Sequence, residues 1–131
     1  MQKLLYGIDL GNFYKAFSQF EKFRQNLNSE QEKAGAVQAF EFSYEMAWKT
    51  MKRILSAKGV DARSPRDVFR EAASINMISD PETWFKFIEV RNISAHTYNE
   101  QVLDQVIDFF PTFSEAIVEF KKYIENEIAR A

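Results

Sequence analysis

Apolar residues recur every three or four positions through most of this chain, and turn-forming residues interrupt them at a few places. Phe13, Ala16, Phe17, Phe20, Phe23 and Leu27 draw one stripe on a first helix, with Asp9 placed to cap it. Asn28 and Ser29 break the stripe. Ser29 and Glu32 then have capping-box spacing, in which each side chain satisfies a free backbone donor near the other. A long second helix follows, its stripe running through Val37, Phe40, Tyr44, Ala47, Trp48, Met51 and Leu55, with Gly59 as its stop. Ser64–Pro65–Arg66–Asp67 reads as cap, first-turn proline and first-turn acid of a third helix, and Asp80–Pro81–Glu82 opens a fourth in the same way. That fourth helix carries Trp84, Phe85, Phe87, Ile88 and Val90 and runs into Arg91–Asn92–Ile93–Ser94–Ala95–His96. Thr97 and Glu100 repeat the capping-box spacing, so a fifth helix is expected from about Tyr98. Pro111 should kink or divide it, and Phe113 to Ile128 is again amphipathic.

The expected fold is all-α: a bundle of about five helices in one domain over residues 1–131, the last kinked near Pro111. Composition supports this. Glycine and proline together number only seven in 131 residues, too few for many turns and short strands. No apolar run approaches the roughly 18 residues of a membrane span, and no targeting signal is visible, so no membrane association is expected. Cysteine is absent, which excludes disulfides and thiolate chemistry and fits a cytoplasmic location. A lone histidine excludes a multi-histidine metal site within one chain, so no metal is expected.

Thirteen of the twenty aromatic residues are phenylalanine. Most belong in a core, yet Phe40 and Phe42 must point in different directions from one helix. The surplus is either additional core or an association surface, most simply that of a symmetric dimer.

Charge is unevenly spread although the net charge is only −2, which argues against a wholly basic nucleic-acid-coating protein. From Lys49 to Arg70 seven basic residues face only Asp61 and Asp67. From Thr97 onward three basic residues face seven acidic ones. The basic segment is either a solvated face or a surface for phosphate or an acidic partner, with Lys49, Arg63, Arg66 and Arg70 as its candidate contacts.

Glycine-rich phosphate loops, dinucleotide fingerprints, nucleophile elbows and the acidic triad of a nucleotidyltransferase are all missing. What remains is Arg91, Asn92, His96 and Tyr98. Asn92 and His96 are four apart and share a helix face, whereas Arg91 lies about 140° around from His96 on an ideal helix. Arg91 and His96 converge only if the helix ends near His96 or a second chain closes the site. Each residue also has an ordinary role: His96 as a C-terminal helix cation, Arg91 as an ion-pair partner of Glu89 or Glu45, Tyr98 as an edge of the core. As a group they fit RNA cleavage without metal, which needs a proton acceptor, a proton donor and a cation for the phosphorane. An imidazole can accept or donate the proton, and an arginine can hold phosphate oxygens. One histidine cannot do both at once, but two copies in a dimer can.

Three blocks give a resemblance: Phe40–Glu41–Phe42–Ser43–Tyr44–Glu45–Met46–Ala47–Trp48–Lys49–Thr50, Ser64–Pro65–Arg66–Asp67–Val68, and Arg91 through Glu100. In order and spacing they resemble the bacterial nucleotidyltransferase substrate-binding proteins, a branch of the HEPN superfamily close to the HepT toxins. The resemblance covers the chain from about Leu10 to Ile124. It implies an up-and-down helical bundle that forms a homodimer and works with a minimal nucleotidyltransferase subunit. It further implies a ribonuclease motif of Arg91, a polar Asn92, and His96 after four intervening residues. In HepT-like toxins a tyrosine two residues beyond the histidine, here Tyr98, receives AMP from the partner, which uses the ATP; this chain itself needs no cofactor. The resemblance therefore leaves two functions: a metal-independent endoribonuclease of a toxin–antitoxin pair silenced at Tyr98, or a non-catalytic nucleotide- or substrate-binding subunit of the nucleotidyltransferase complex.

Overall fold

A computed structural model describes residues 4–131. The chain opens with a small antiparallel hairpin, β1 (Leu4–Leu5) and β2 (Ile8–Asp9), then forms α1 (Gly11–Phe23), α2 (Glu30–Ala57), α3 (Pro65–Ser74), α4 (Pro81–Ile93), a 3₁₀ turn (Ser94–His96), α5 (Glu100–Asp108) and α6 (Phe110–Arg130). Among the described residues the hairpin is the one element outside the all-helical expectation. Its turn residues Tyr6 and Gly7 both have positive φ, 53° and 78°, the geometry that joins two-residue hairpin loops.

The helix boundaries follow the capping chemistry. Ser29 Oγ caps α2 by accepting from Glu32 at 3.1 Å, whereas α1 is capped by Leu10 without a side-chain bond, and Asp9, the expected cap, stands one residue earlier with its Oδ1 accepting from the Gly11 amide at 2.8 Å. Glu32 returns a bond to Asn28 rather than to Ser29. Gly59, at φ 83°, ends α2 by letting the amides of Gly59 and Val60 reach back to Ser56 and Leu55. Ser64 caps α3 and Asp80 caps α4, as their sequences predict. Thr97 does not cap the next helix. Asn99 does so, its Oδ1 accepting from Gln101 and Val102 at 2.9 and 3.3 Å, and α5 begins two residues later than expected. The bend near Pro111 divides the last expected helix into α5 and α6, with Pro111 in the first turn of α6, where its missing N–H costs nothing.

At about 1.5 Å per residue, the 28 residues of α2 make a rod of about 42 Å. α1, α3, α4 and α5 all pack on it, and α6 packs on α5 and the hairpin. The core is rich in aromatic rings: Phe13, Phe20, Phe40, Phe69, Trp84, Phe87, Phe110, Phe113 and Phe120 are fully buried. Their rings meet edge to face or tilted, as at Phe20–Phe110 (5.0 Å between centroids), Phe40–Phe113 (4.8 Å) and Trp84–Phe87 (5.1 Å). Such pairs add about 0.5–1.5 kcal/mol each beyond burial. Phe40 is completely buried while Phe42 is 54% exposed, so part of the phenylalanine surplus does lie on the surface. At the other end of the bundle, Lys58 closes α2 onto α6 through Glu127 at 3.1 Å and lies over the Tyr6 ring of the hairpin. No helix among the described residues is long and apolar enough to cross a membrane.

Candidate functional site

The end of α4 is built by Ser94. Its side chain is buried, its hydroxyl reaches both the Arg91 carbonyl and Glu41, and the helix tightens there into the 3₁₀ turn. The helix thus ends before His96, one of the two conditions for Arg91 and His96 to converge. Even so, Arg91 turns toward α2. Its Nη1 donates to Glu41 Oε2 at 3.0 Å and to Ser94 Oγ at 3.3 Å, and its Nε lies 3.7 Å from Glu45 Oε1 without a hydrogen bond. Glu45 is the ion-pair partner expected from the sequence; Glu41 and Ser94 were not. The signal was present, since Glu41 and Glu45 are four apart and share a face of α2. The same network reaches buried Tyr44, whose hydroxyl is pushed well above its ordinary value by burial and, to a lesser degree, by the Glu45 charge.

His96 and Tyr98 form a second group on the outside of the turn. The Tyr98 hydroxyl is 3.3 Å from His96 Nδ1, and the two rings meet at 90° with centroids 5.8 Å apart. Tyr98 is 84% exposed and so is not an edge of the core. A hydroxyl both donates and accepts, so it can hold either neutral tautomer of His96 and leaves Nε2 for a substrate. Asn92 is exposed on α4, about 100° around the helix from Arg91. Beside Tyr98 lies a cleft of about 380 Å³ between the starts of α2 and α5, bordered by Lys33, Leu103 and Asp104. A larger cleft, about 460 Å³, lies between Asn76 and the end of α6; it is lined by none of the predicted site residues.

The four basic candidates fall into three places. Lys49 pairs with Glu45 at 3.7 Å and so joins the Arg91 network. Arg63 pairs with Asp61 on the exposed loop before α3. Arg66 and Arg70 both stand over the ring of Phe85, at 4.5 and 5.9 Å. Among the described residues no group of three or more His, Cys, Asp or Glu side chains could hold a metal ion.

Known proteins share this architecture. A Thermus thermophilus protein of known structure matches with a TM-score of 0.77 over 88% of this chain and 98% of its own, at 21% identity, a likeness of fold. A Haemophilus influenzae structure, described as giving the fold of a substrate binding domain of a nucleotidyltransferase, matches with a TM-score of 0.76 at 28% identity, covering 87% of this chain and 98% of that one. In sequence, the chain is 38% identical over 85 residues to a probable ribonuclease HepT of Haemophilus influenzae. That match spans 58% of this chain and 58% of the relative, little more than half of either protein. Residues 8–126 match the family model described as nucleotidyltransferase substrate binding protein like, and the chain belongs to that family.

Proposed function

We propose that this protein is the helical subunit of a two-component nucleotidyltransferase system, and that it is a HepT-like, metal-independent endoribonuclease whose activity is silenced by AMP transfer to Tyr98. The observation that carries the reading is the exposed Tyr98 hydroxyl resting 3.3 Å from His96 Nδ1. A residue that is to be modified must be reachable, and a modification that is to silence a catalytic histidine must lie against it. The 38% identity to a probable ribonuclease HepT supports the same reading.

In this mechanism the RNA 2′-oxygen attacks the adjacent phosphorus, giving a 2′,3′-cyclic phosphate, and the 5′-oxygen departs as a hydroxyl. One His96 takes the 2′-proton and the His96 of a second copy donates to the leaving oxygen, so the active species is a homodimer. Arg91 stabilises the phosphorane charge and Asn92 orients the phosphate. For silencing, the Tyr98 oxygen attacks the α-phosphorus of ATP bound by the partner nucleotidyltransferase. Pyrophosphate leaves, and the phenolic proton passes to a base or to water. The resulting anion excludes RNA sterically and repels its phosphates.

The second reading is a non-catalytic nucleotide- or substrate-binding subunit of the complex. The pairing of Arg91 with Glu41 and Glu45 favours it, because that cation is already neutralised.

Wild type, His96→Ala and Tyr98→Phe, each with and without the cognate nucleotidyltransferase and ATP, separate the readings. Cleavage lost in His96→Ala, and silenced with a Tyr98-dependent AMP mass, is the expected result. Nucleotide binding without cleavage or mass change would establish the second reading.

A further inference from the structure

Two arginines of α3 stand over the ring of Phe85 on α4. Arg66 and Arg70 are four apart on α3 and project from the same side of it. Arg66 lies 4.5 Å above the Phe85 ring and Arg70 5.9 Å from it. A guanidinium held over an aromatic face keeps its N–H donors directed outward and has less side-chain freedom left to lose on binding. Arg70 also contacts Asp67 at 3.5 Å, with both side chains more than half exposed, so that pair is well screened by water.

The arginines are in line with the site. Phe85 and Asn92 are seven residues apart on α4, which puts them within about 20° of each other around the helix and about 10 Å apart along it. Of the other basic candidates, Lys49 is held in the Arg91 network and Arg63 stands on the exposed loop before α3. Glu89 stands on the same side of α4, about 40° from Phe85, and opposes an incoming anion.

Resting on the ribonuclease reading above, we infer that Arg66 and Arg70, braced on Phe85, form a phosphate-binding subsite that holds single-stranded RNA to one side of the bond cleaved at His96. The contacts are to backbone phosphates, so the subsite adds affinity and register without reading bases.

The test uses an uncleavable 2′-O-methyl oligouridine, so that binding is measured apart from catalysis. Affinity is titrated against salt for wild type, Arg66→Gln/Arg70→Gln, Phe85→Leu and Glu89→Gln, with circular dichroism to check the fold. Each phosphate contact contributes about 0.7 to the slope of log K against log salt for a single strand, so the double variant should lose about 1.4 from the slope and at least tenfold in affinity. Glu89→Gln should tighten binding, and Phe85→Leu should weaken it while leaving both charges in place. An unchanged slope in the double variant, or no RNA binding by wild type, overturns the inference. So does wild-type RNA binding by a double variant that has lost the nucleotidyltransferase, which would make the arginines a protein-docking surface. Cleavage by wild type with an unchanged slope in the double variant would remove this subsite and leave the ribonuclease reading standing. A patch-dependent slope without cleavage would do the reverse.

Discussion

Arg91 and Glu41, fifty residues apart in sequence, are joined by a 3.0 Å charged hydrogen bond that ties the end of α4 to the middle of α2. The bond fixes the guanidinium about one helical turn before the turn that carries His96. Whatever Arg91 does for a phosphate, it does from this anchor. In a double-mutant cycle of Glu41→Ala and Arg91→Ala, urea unfolding should give a coupling of about 1 kcal/mol, the size expected for a partly exposed charged pair after solvent screening. Strictly additive single variants would show that the bond carries no stability.

Asn99 should matter more to the fold than Thr97. Its side chain satisfies two amides at the start of α5, so Asn99→Ala should cost about 1 kcal/mol, while Asn99→Asp should retain most of that. Thr97→Ala should be close to neutral. Chemical denaturation of the three variants checks the order.

Lys58 and Glu127 give a pH-dependent clasp between α2 and α6. The Glu127 carboxyl is held below its ordinary value by hydrogen bonds from Tyr123 and then Lys58, and the Lys58 ammonium is raised chiefly by its bond to Glu127. Burial, followed by the hydrogen bond to Glu127, pushes the Tyr123 hydroxyl up to about 12. A depressed carboxyl stabilises the fold fully above its unfolded value of 4.5 and loses that contribution as pH falls through the folded value. Glu127→Gln should therefore melt a few degrees below wild type at neutral pH, with the gap closing in acid. A gap independent of pH down to about 3 would assign the effect to packing instead.

Phe42 offers a test of the proposed dimer. It is an exposed aromatic next in sequence to Glu41, the residue that anchors Arg91, so a second copy seated there would lie beside the candidate site. Phe42→Glu should shift light scattering from dimer toward monomer and reduce RNA cleavage with it, while the helical signal stays unchanged. A dimer of undiminished affinity would place the interface elsewhere.

Much of the fold was legible because helix boundaries are local. Ser29, Ser64, Asp80, Gly59 and Pro111 act within a few residues of themselves, and each acts where its sequence neighbourhood says it should. Thr97 and Asn99 show the limit. Both are good caps on local chemistry, and the 3₁₀ turn set by buried Ser94 decided which of them stood at the start of α5. The β hairpin was missed because two residues per strand leave no periodicity to detect.

The candidate site divides in the same way. The sequence by itself determined that His96 and Tyr98 would be neighbours, since residues two apart at a helix end have little choice. It also determined that Phe40 and Phe42 would face opposite ways, because α2 allows nothing else. Only the tertiary structure decided where Arg91 would turn, because Glu41 and Glu45 reach it from another helix. Only the packing of α3 against α4 set Arg66 and Arg70 over Phe85, whereas Lys49 and Arg63 pair with Glu45 and Asp61 of their own segments. The physical reason is range: capping and periodicity act over one turn of helix, whereas a charge takes as its partner whichever opposite charge the fold brings within a few ångströms.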